Sequence, residues 1–188
     1  MKNLIVVIDG PSGVGKDSVM RTLVDTHPDL YQIFVSSTTR EKRPGEVDGV
    51  HYHFVTKPEF LKNIKNGDVY EHTFRFDNYY GMNKKAIIAT WKQNKIAVKN
   101  CDIVGIRATK KLFDKQCLTV FIKASRVDVE TRLINRGDDA EDRAKRLSAY
   151  DEYMSHESEF DFSIENKDLN KAVDELHKRI VNYIKESS

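Results

Sequence analysis

A continuous apolar, β-branched run from Leu4 to Ile8 leads straight into Gly10-Pro11-Ser12-Gly13-Val14-Gly15-Lys16, and helical periodicity sets in from Ser18 to Val24. Few local patterns restrict a fold more tightly. An apolar run with no polar interruption fits a strand covered on both faces. The glycines let the backbone turn its N–H groups inward as an anion nest, and the following helix N-terminus adds partial positive charge. A lysine at the end of such a loop reaches the outer phosphates of a nucleotide. The strand before and the helix after separate this pattern from a glycine-rich turn with a stray lysine.

The remainder of the chain continues the alternation. Apolar runs at Ile33–Val35, Ile96–Val98, Leu118–Ile122 and Phe160–Ile164 read as strands, and His51–Val55 as an alternating one. Helical stretches are expected at 84–93, 106–113, 126–158 and 168–186. Such alternation predicts an α/β fold with a parallel sheet and helices on both faces, its ligands at the carboxyl ends of the strands. No repeat, low-complexity tract or linker divides the 188 residues, so one domain is expected. With 31 basic and 29 acidic side chains the net charge is only +2, which speaks against a general nucleic-acid or membrane-surface binder. No stretch approaches the ~20 apolar residues of a membrane span. Cys101 and Cys117 lack metal-ligand spacing and read as reduced thiols, and the apolar start precedes glycines rather than a cleavage site. A cytosolic protein is expected.

The string Ser36-Ser-Thr-Thr-Arg40, Arg43-Pro-Gly45-Glu46-Val-Asp48-Gly49, Tyr52 and Phe54, with Glu71 and Asn78-Tyr-Tyr80-Gly81 behind it, resembles the acceptor segment of guanylate kinases. With the glycine loop and the C-terminal features the resemblance covers nearly the whole chain. It implies a P-loop nucleoside-monophosphate kinase, a three-layer α/β/α core formed by residues 1–35, 84–125 and 155–188. An acceptor-nucleotide insertion would span 36–83 and an arginine-rich lid 126–154. ATP and a purine monophosphate, GMP or dGMP, are the implied ligands, and Mg2+ the implied cofactor. Gly10 to Ser18 would hold the ATP phosphates and Asn166 the adenine. Arg40, Arg43, Tyr52 and Tyr80 would bind the acceptor phosphate, Ser36 and Glu71 would read its base, and Asp102 would be the catalytic base or metal-side carboxylate of the acceptor site. Lys16, Arg40, Arg132, Arg136 and Arg146 would act on the transferring group; Arg143 aligns less directly, because the segment after Gly137 is one residue short.

Physical chemistry agrees with these roles. Arginine offers a permanently charged fork suited to phosphate oxygens, and the two oxygens of Glu71 match the N1–H and N2–H donors of guanine. A solvated basic helix pairing with Glu130, Glu141 and Asp142 is the plainer reading of the lid arginines. His51, His53 and His72 lack a carboxylate or cysteine that would complete a metal set.

Three positions depart from the resemblance. Asp17, followed by Ser18, stands where a serine or threonine usually helps to hold Mg2+; as a hard-cation ligand it can take that role, or it can cap the helix. Met82 stands where the family carries a hydroxyl near the purine 6-position, and methionine donates no hydrogen bond. Asn100 replaces the first of two acids, so a carboxylate is missing at 100 and present at 17. Asp17-Ser18 and Asn100 are similar to ribose 1,5-bisphosphate kinases, whereas Arg43, Tyr52 and Glu71 belong to a base-bearing acceptor site. A phosphopeptide-binding module is the remaining alternative, disfavoured by the intact glycines and Lys16.

Overall fold

The structure is a computed structural model that describes residues 3–186. The outermost positions of the expected core, 1–2 and 187–188, lie outside the described residues. At its centre is β1 (Ile5–Asp9), buried along its whole length. It is flanked in parallel by β7 (Ile96–Asn100) and β8 (Cys117–Lys123), with β2 (Tyr31–Ile33) beyond β7 and β9 (Phe162–Glu165) beyond β8.

Alternation along β1 builds the layers. Leu4, Val6 and Ile8 pack with Val19, Met20 and Leu23 of α1 (Lys16–Thr26) and with Ala172, Val173, Leu176 and Ile180 of α8 (Leu169–Glu186). Ile5 and Val7 face the other way, toward Ile87 of α3 (Lys84–Lys92) and Ile106 and Phe113 of α4 (Ile103–Phe113). Each fully buried aliphatic side chain contributes about 1.5–3 kcal/mol, so a strand shared by two cores is the most stabilised segment of the chain. The single tryptophan, Trp91, donates its indole N–H to Leu4 O at 2.8 Å, fastening α3 to the start of β1.

A second sheet, of order β4-β3-β6-β5, occupies the expected insertion. Its strands are β3 (Ser37–Thr38), β4 (His53–Phe54), β5 (Val69–Arg75) and β6 (Asn78–Asn83). α2 (Lys57–Lys65) covers it, started by the Thr56 hydroxyl at the Glu59 N–H and by Pro58 in the first turn.

Several local expectations shift. The strand expected at 33–35 is β2 at 31–33, because Tyr31, Gln32 and Ile33 ladder with Ile96, Ala97 and Val98, and the bond from the Phe34 N–H to Val98 O at 3.2 Å closes the pairing. The alternating strand at 51–55 contracts to β4, since the His51 ring accepts from the Val47 N–H and closes a loop. The hairpin of β5 and β6 escapes a sequence reading because its two-residue turn is Phe76-Asp77, at φ 51° and 57°, where glycine or asparagine is the usual signal. The long helix expected at 126–158 is three helices and a 3-10 turn: α5 (Arg126–Asn135), α6 (Ala140–Ser148), α7 (Tyr150–Met154) and residues 155–159. Gly137 at φ 86° ends α5, and the Asp139 carboxylate, accepting from the Asp142 N–H at 2.8 Å, starts α6.

Chain and sheet approach most closely at Gly10, where a Cβ would lie 2.1 Å from the Ile122 carbonyl oxygen. Gly10→Ala should therefore destabilise the protein by about 2–4 kcal/mol. Gly67→Ala, at φ 72° but in open space, should lose only the ~1 kcal/mol of backbone strain. Thermal melts showing equal losses would refute the close-contact account.

Candidate active site

The loop from Gly10 to Lys16 leaves β1 and enters α1 with Gly13 and Gly15 both at φ 88°. α1 has no side-chain cap, so its first N–H groups remain available to an anion. Val14 is fully buried and anchors the loop. Lys16 folds back, its Nζ donating to Gly10 O at 3.0 Å and Pro11 O at 3.4 Å.

A cavity of about 570 Å³ lies over this loop, bordered by Ser12, Gly13, Gly15, Lys16, Asp17 and Ser18 and by Arg132, Arg136 and Arg146 of the lid. Arg132 donates to Val14 O at 2.9 Å and to Asn166 O at 2.5 Å. Asn166 in turn donates Nδ2 to Val14 O at 2.8 Å, while its Oδ1 is buried without a partner among the described residues. Arg146 Nη1 reaches Ser12 Oγ at 2.6 Å. Pro11 stays at the loop's start as the acceptor for Lys16. The plainer alternative, pairing of the lid arginines with Glu130, Glu141 and Asp142, is absent among the described residues: Glu141 pairs with Lys145, and Arg136 with Asp138.

The two exchanged positions meet. Asn100, at the end of β7, donates Nδ2 to Asp17 Oδ1 at 2.5 Å. The amide holds the carboxylate in one orientation, and both stay on the edge of the phosphate loop.

A second cavity, of about 360 Å³, opens between the two sheets. Ser36, Tyr52, Glu71, Tyr80, Met82 and Asp102 all border it, and so does Lys16. Asp102 is also the N-cap of α4, accepting from the Gly105 N–H at 3.0 Å. Met82 is buried, and its sulfur accepts from the Tyr70 hydroxyl at 3.6 Å. The expected Arg40 and Arg43 are not among the cavity's lining residues. Arg40 is gripped by both oxygens of Glu46, at 2.9 and 2.8 Å, with its guanidinium over the Tyr52 and Phe54 rings. Arg43 is exposed and gives its backbone N–H to Glu46 Oε2.

Sequence reasoning did not reach five further residues of this cavity: Asp9, Thr73, Arg75, Lys99 and Tyr153. Thr73 and Arg75 follow Glu71 at strand spacing, so recognising β5 would have placed them on its face. Arg75 lies over the Tyr80 ring at 5.2 Å. Nothing in the local sequence pairs Asp9 with Tyr153, 144 positions away, whose hydroxyl donates to Asp9 Oδ2 at 2.7 Å.

Burial governs the charges here. Desolvation pushes the carboxyls of Glu71 and Asp9 up to about 6; nearby Asp102 adds to both shifts, Arg75 opposes the first, and Tyr153, the Gly10 N–H and Lys16 oppose the second. Lys99 is lowered and Cys101 raised, again chiefly by desolvation. Asp9 ionises near pH 4 in an unfolded chain, so the folded state resists its ionisation. That penalty is absent below pH 4, grows between 4 and 6, and is complete above. Asp9→Asn should therefore raise stability by about 2 kcal/mol at pH 7.5, with the gain vanishing at pH 4. Denaturant titrations at the two pH values would show it; an equal effect at both would exclude the ionisation account.

This geometry agrees with the comparisons. A family model described as guanylate kinase matches residues 1–183. The guanylate kinase of Idiomarina loihiensis is 38% identical over 175 residues, 92% of this chain and 83% of that one. That of Pseudomonas fluorescens is 36% identical over 173 residues, 92% and 84% of the two chains. The crystal structure of guanylate kinase from Anaplasma phagocytophilum superposes with a TM-score of 0.66 at 26% identity, covering 98% of this chain and 85% of that one. A loop that presents helix N–H groups, a lysine bordering two cavities and a separate acidic pocket thus coincide with sequence kinship along nearly the whole length, and the chain belongs to the guanylate kinase family.

Proposed function

We propose that this protein transfers the γ-phosphate of ATP to GMP or dGMP. The observation that carries the reading is the position of Lys16, on the border of both cavities. Its amine, which donates to the Gly10 and Pro11 carbonyls, would turn between bound nucleotides to face the donor and the acceptor phosphate at once.

Residues 1–35, 84–125 and 155–188 form the ATP-binding core, 36–83 the acceptor part and 126–154 the lid. The acceptor phosphate has a second pKa of about 6 and is largely dianionic at neutral pH, so it needs no general base. Repulsion between two polyanions is the barrier to overcome. Catalysis then consists of positioning and charge neutralisation in a site closed to water. Lys16, Arg132, Arg136 and Arg146 surround the transferring group, and Gly10 to Ser18 supply the N–H nest. Arg40, Arg43, Tyr52 and Tyr80 hold the acceptor phosphate; for Arg40 this means sharing its fork with Glu46. Ser36, Glu71 and Asp102 face the base beside Met82. Asn166 has a buried acceptor oxygen with no partner among the described residues, the type of group that the amino group of adenine would need.

Asp17 and Ser18 would hold Mg2+. Both are oxygen donors on the rim of the phosphate cavity, and Asn100 leaves one Asp17 oxygen open. Among the described residues no group of three or more His, Cys, Asp or Glu could hold a metal alone, which suits a cation that keeps waters and phosphate oxygens as its main ligands. When bound, it would neutralise charge on the outer phosphates. A cytosolic setting belongs to the same proposal and fits two cysteines that are free thiols.

Lys16→Ala should lower kcat by about a thousandfold or more at unchanged fold; near-normal turnover would refute the assignment. In a panel of GMP, dGMP, AMP, dAMP and ribose 1,5-bisphosphate, the guanine nucleotides should be preferred. Glu71→Gln should reduce kcat/KM for GMP about a hundredfold, because its amide offers a donor where guanine also donates, with little change for AMP. Phosphorylation of the sugar bisphosphate alone would overturn the reading.

A further inference from the structure

Arg136, Arg143 and Arg146 converge on one residue, Asp138. Asp138 follows Gly137 in the turn between α5 and α6, and its side chain is only 12% exposed. Its Oδ1 accepts from Arg136 Nε at 2.7 Å and its Oδ2 from Arg136 Nη2, a two-pronged pair. Arg146 Nε stands 3.2 Å from the same Oδ2, while its Nη1 reaches Ser12 in the phosphate loop. Arg143 Nη1 donates to the Asp138 carbonyl at 2.6 Å and fixes the backbone beneath. A carboxylate thus sits between Arg136 and Arg146, two of the three arginines that border the cavity over the glycine loop, and its two oxygens fit the same guanidinium forks that phosphate oxygens fit.

We propose that Asp138 is an internal stand-in for phosphate, a positioning residue that keeps Arg136 and Arg146 paired beside the loop and yields them to an arriving triphosphate. The proposal rests on the reading of those arginines as phosphate ligands. Three guanidiniums and Lys16 around one cavity would repel each other and attract any polyanion; a tethered carboxylate removes part of that charge. Because it is attached to the chain, it competes at high effective concentration. Arg136 holds the Asp138 carboxyl below its ordinary range, so the competitor stays charged. A bare polyphosphate must displace it with nothing but charge. ATP meets the same cost but also gains contacts for its base and sugar, so it still fills the site at concentrations where bare polyphosphate does not.

Binding of inorganic tripolyphosphate to the full chain, by calorimetry without nucleotide, tests this. Asp138→Asn should bind it about fivefold tighter, the scale of one exposed ion pair, with a steeper loss of affinity as salt rises, and Asp138→Glu should return toward the parent value. Unchanged or weaker binding by the Asn variant at parental melting temperature overturns the proposal. On the unaltered protein, the 13C resonance of the Asp138 carboxyl should move when tripolyphosphate is added; a resonance that stays put overturns it without any variant. ATP binding with no effect of Asp138→Asn defeats this inference alone, whereas failure of the unaltered protein to bind either ATP or tripolyphosphate defeats the functional reading as well.

Discussion

Burial of β1 on both of its faces is the constraint from which the site follows. A strand shared by two hydrophobic layers cannot slide without exposing one of them, so its end is held in fixed register, Ile8 against Asn100 of β7 and Asp9 against Phe121 of β8. The turn that follows has to fit under the Ile122 carbonyl, which leaves room only for glycine. From there the chain enters α1 with free N–H groups. A rigid strand end, a forced turn and an uncapped helix make an anion site before any side chain is considered. Lys16 and the arginines add charge to a cradle that the backbone has already shaped.

The core was the part most legible in the sequence. Strands buried on both faces announce themselves as unbroken apolar runs, and β1, β7 and β8 lie where such runs predict. The insertion was harder. β5 carries Glu71, Thr73 and Arg75 on one face, so polarity there follows the ligand pocket rather than the core, and its turn lacks the glycine or asparagine that marks a hairpin. The lid read as one helix because its periodicity continues across Gly137, although one glycine at positive φ and one capping aspartate are enough to divide it. Motif residues such as Ser36, Tyr52, Glu71 and Tyr80 do border one cavity. Pairings between distant residues, such as Asp9 with Tyr153, have no local signal and needed three dimensions.

Position 17 and position 100 illustrate a middle case. The sequence shows a carboxylate gained at one and lost at the other, but not that they are neighbours. In the fold Asn100 donates to Asp17, so an acid at both positions would place two negative charges in contact beside the phosphate loop. The exchange therefore keeps one acid at the site and gives it a neutral partner that orients it. Met82 is a different kind of change: its thioether is buried, accepts from Tyr70 and packs near Gly105, so the wall of the cavity between the sheets is apolar at that point.

The bond from Trp91 to the Leu4 carbonyl has an optical consequence. The chain's only indole is fixed at the opening end of the central strand, in edge contact with Phe113, remote in sequence from the glycine loop, α5 and α6. Its emission is a gauge of whether the innermost sheet is intact. Ultraviolet-excited fluorescence should stay nearly silent while ligands come and go, and change sharply when the molecule comes apart.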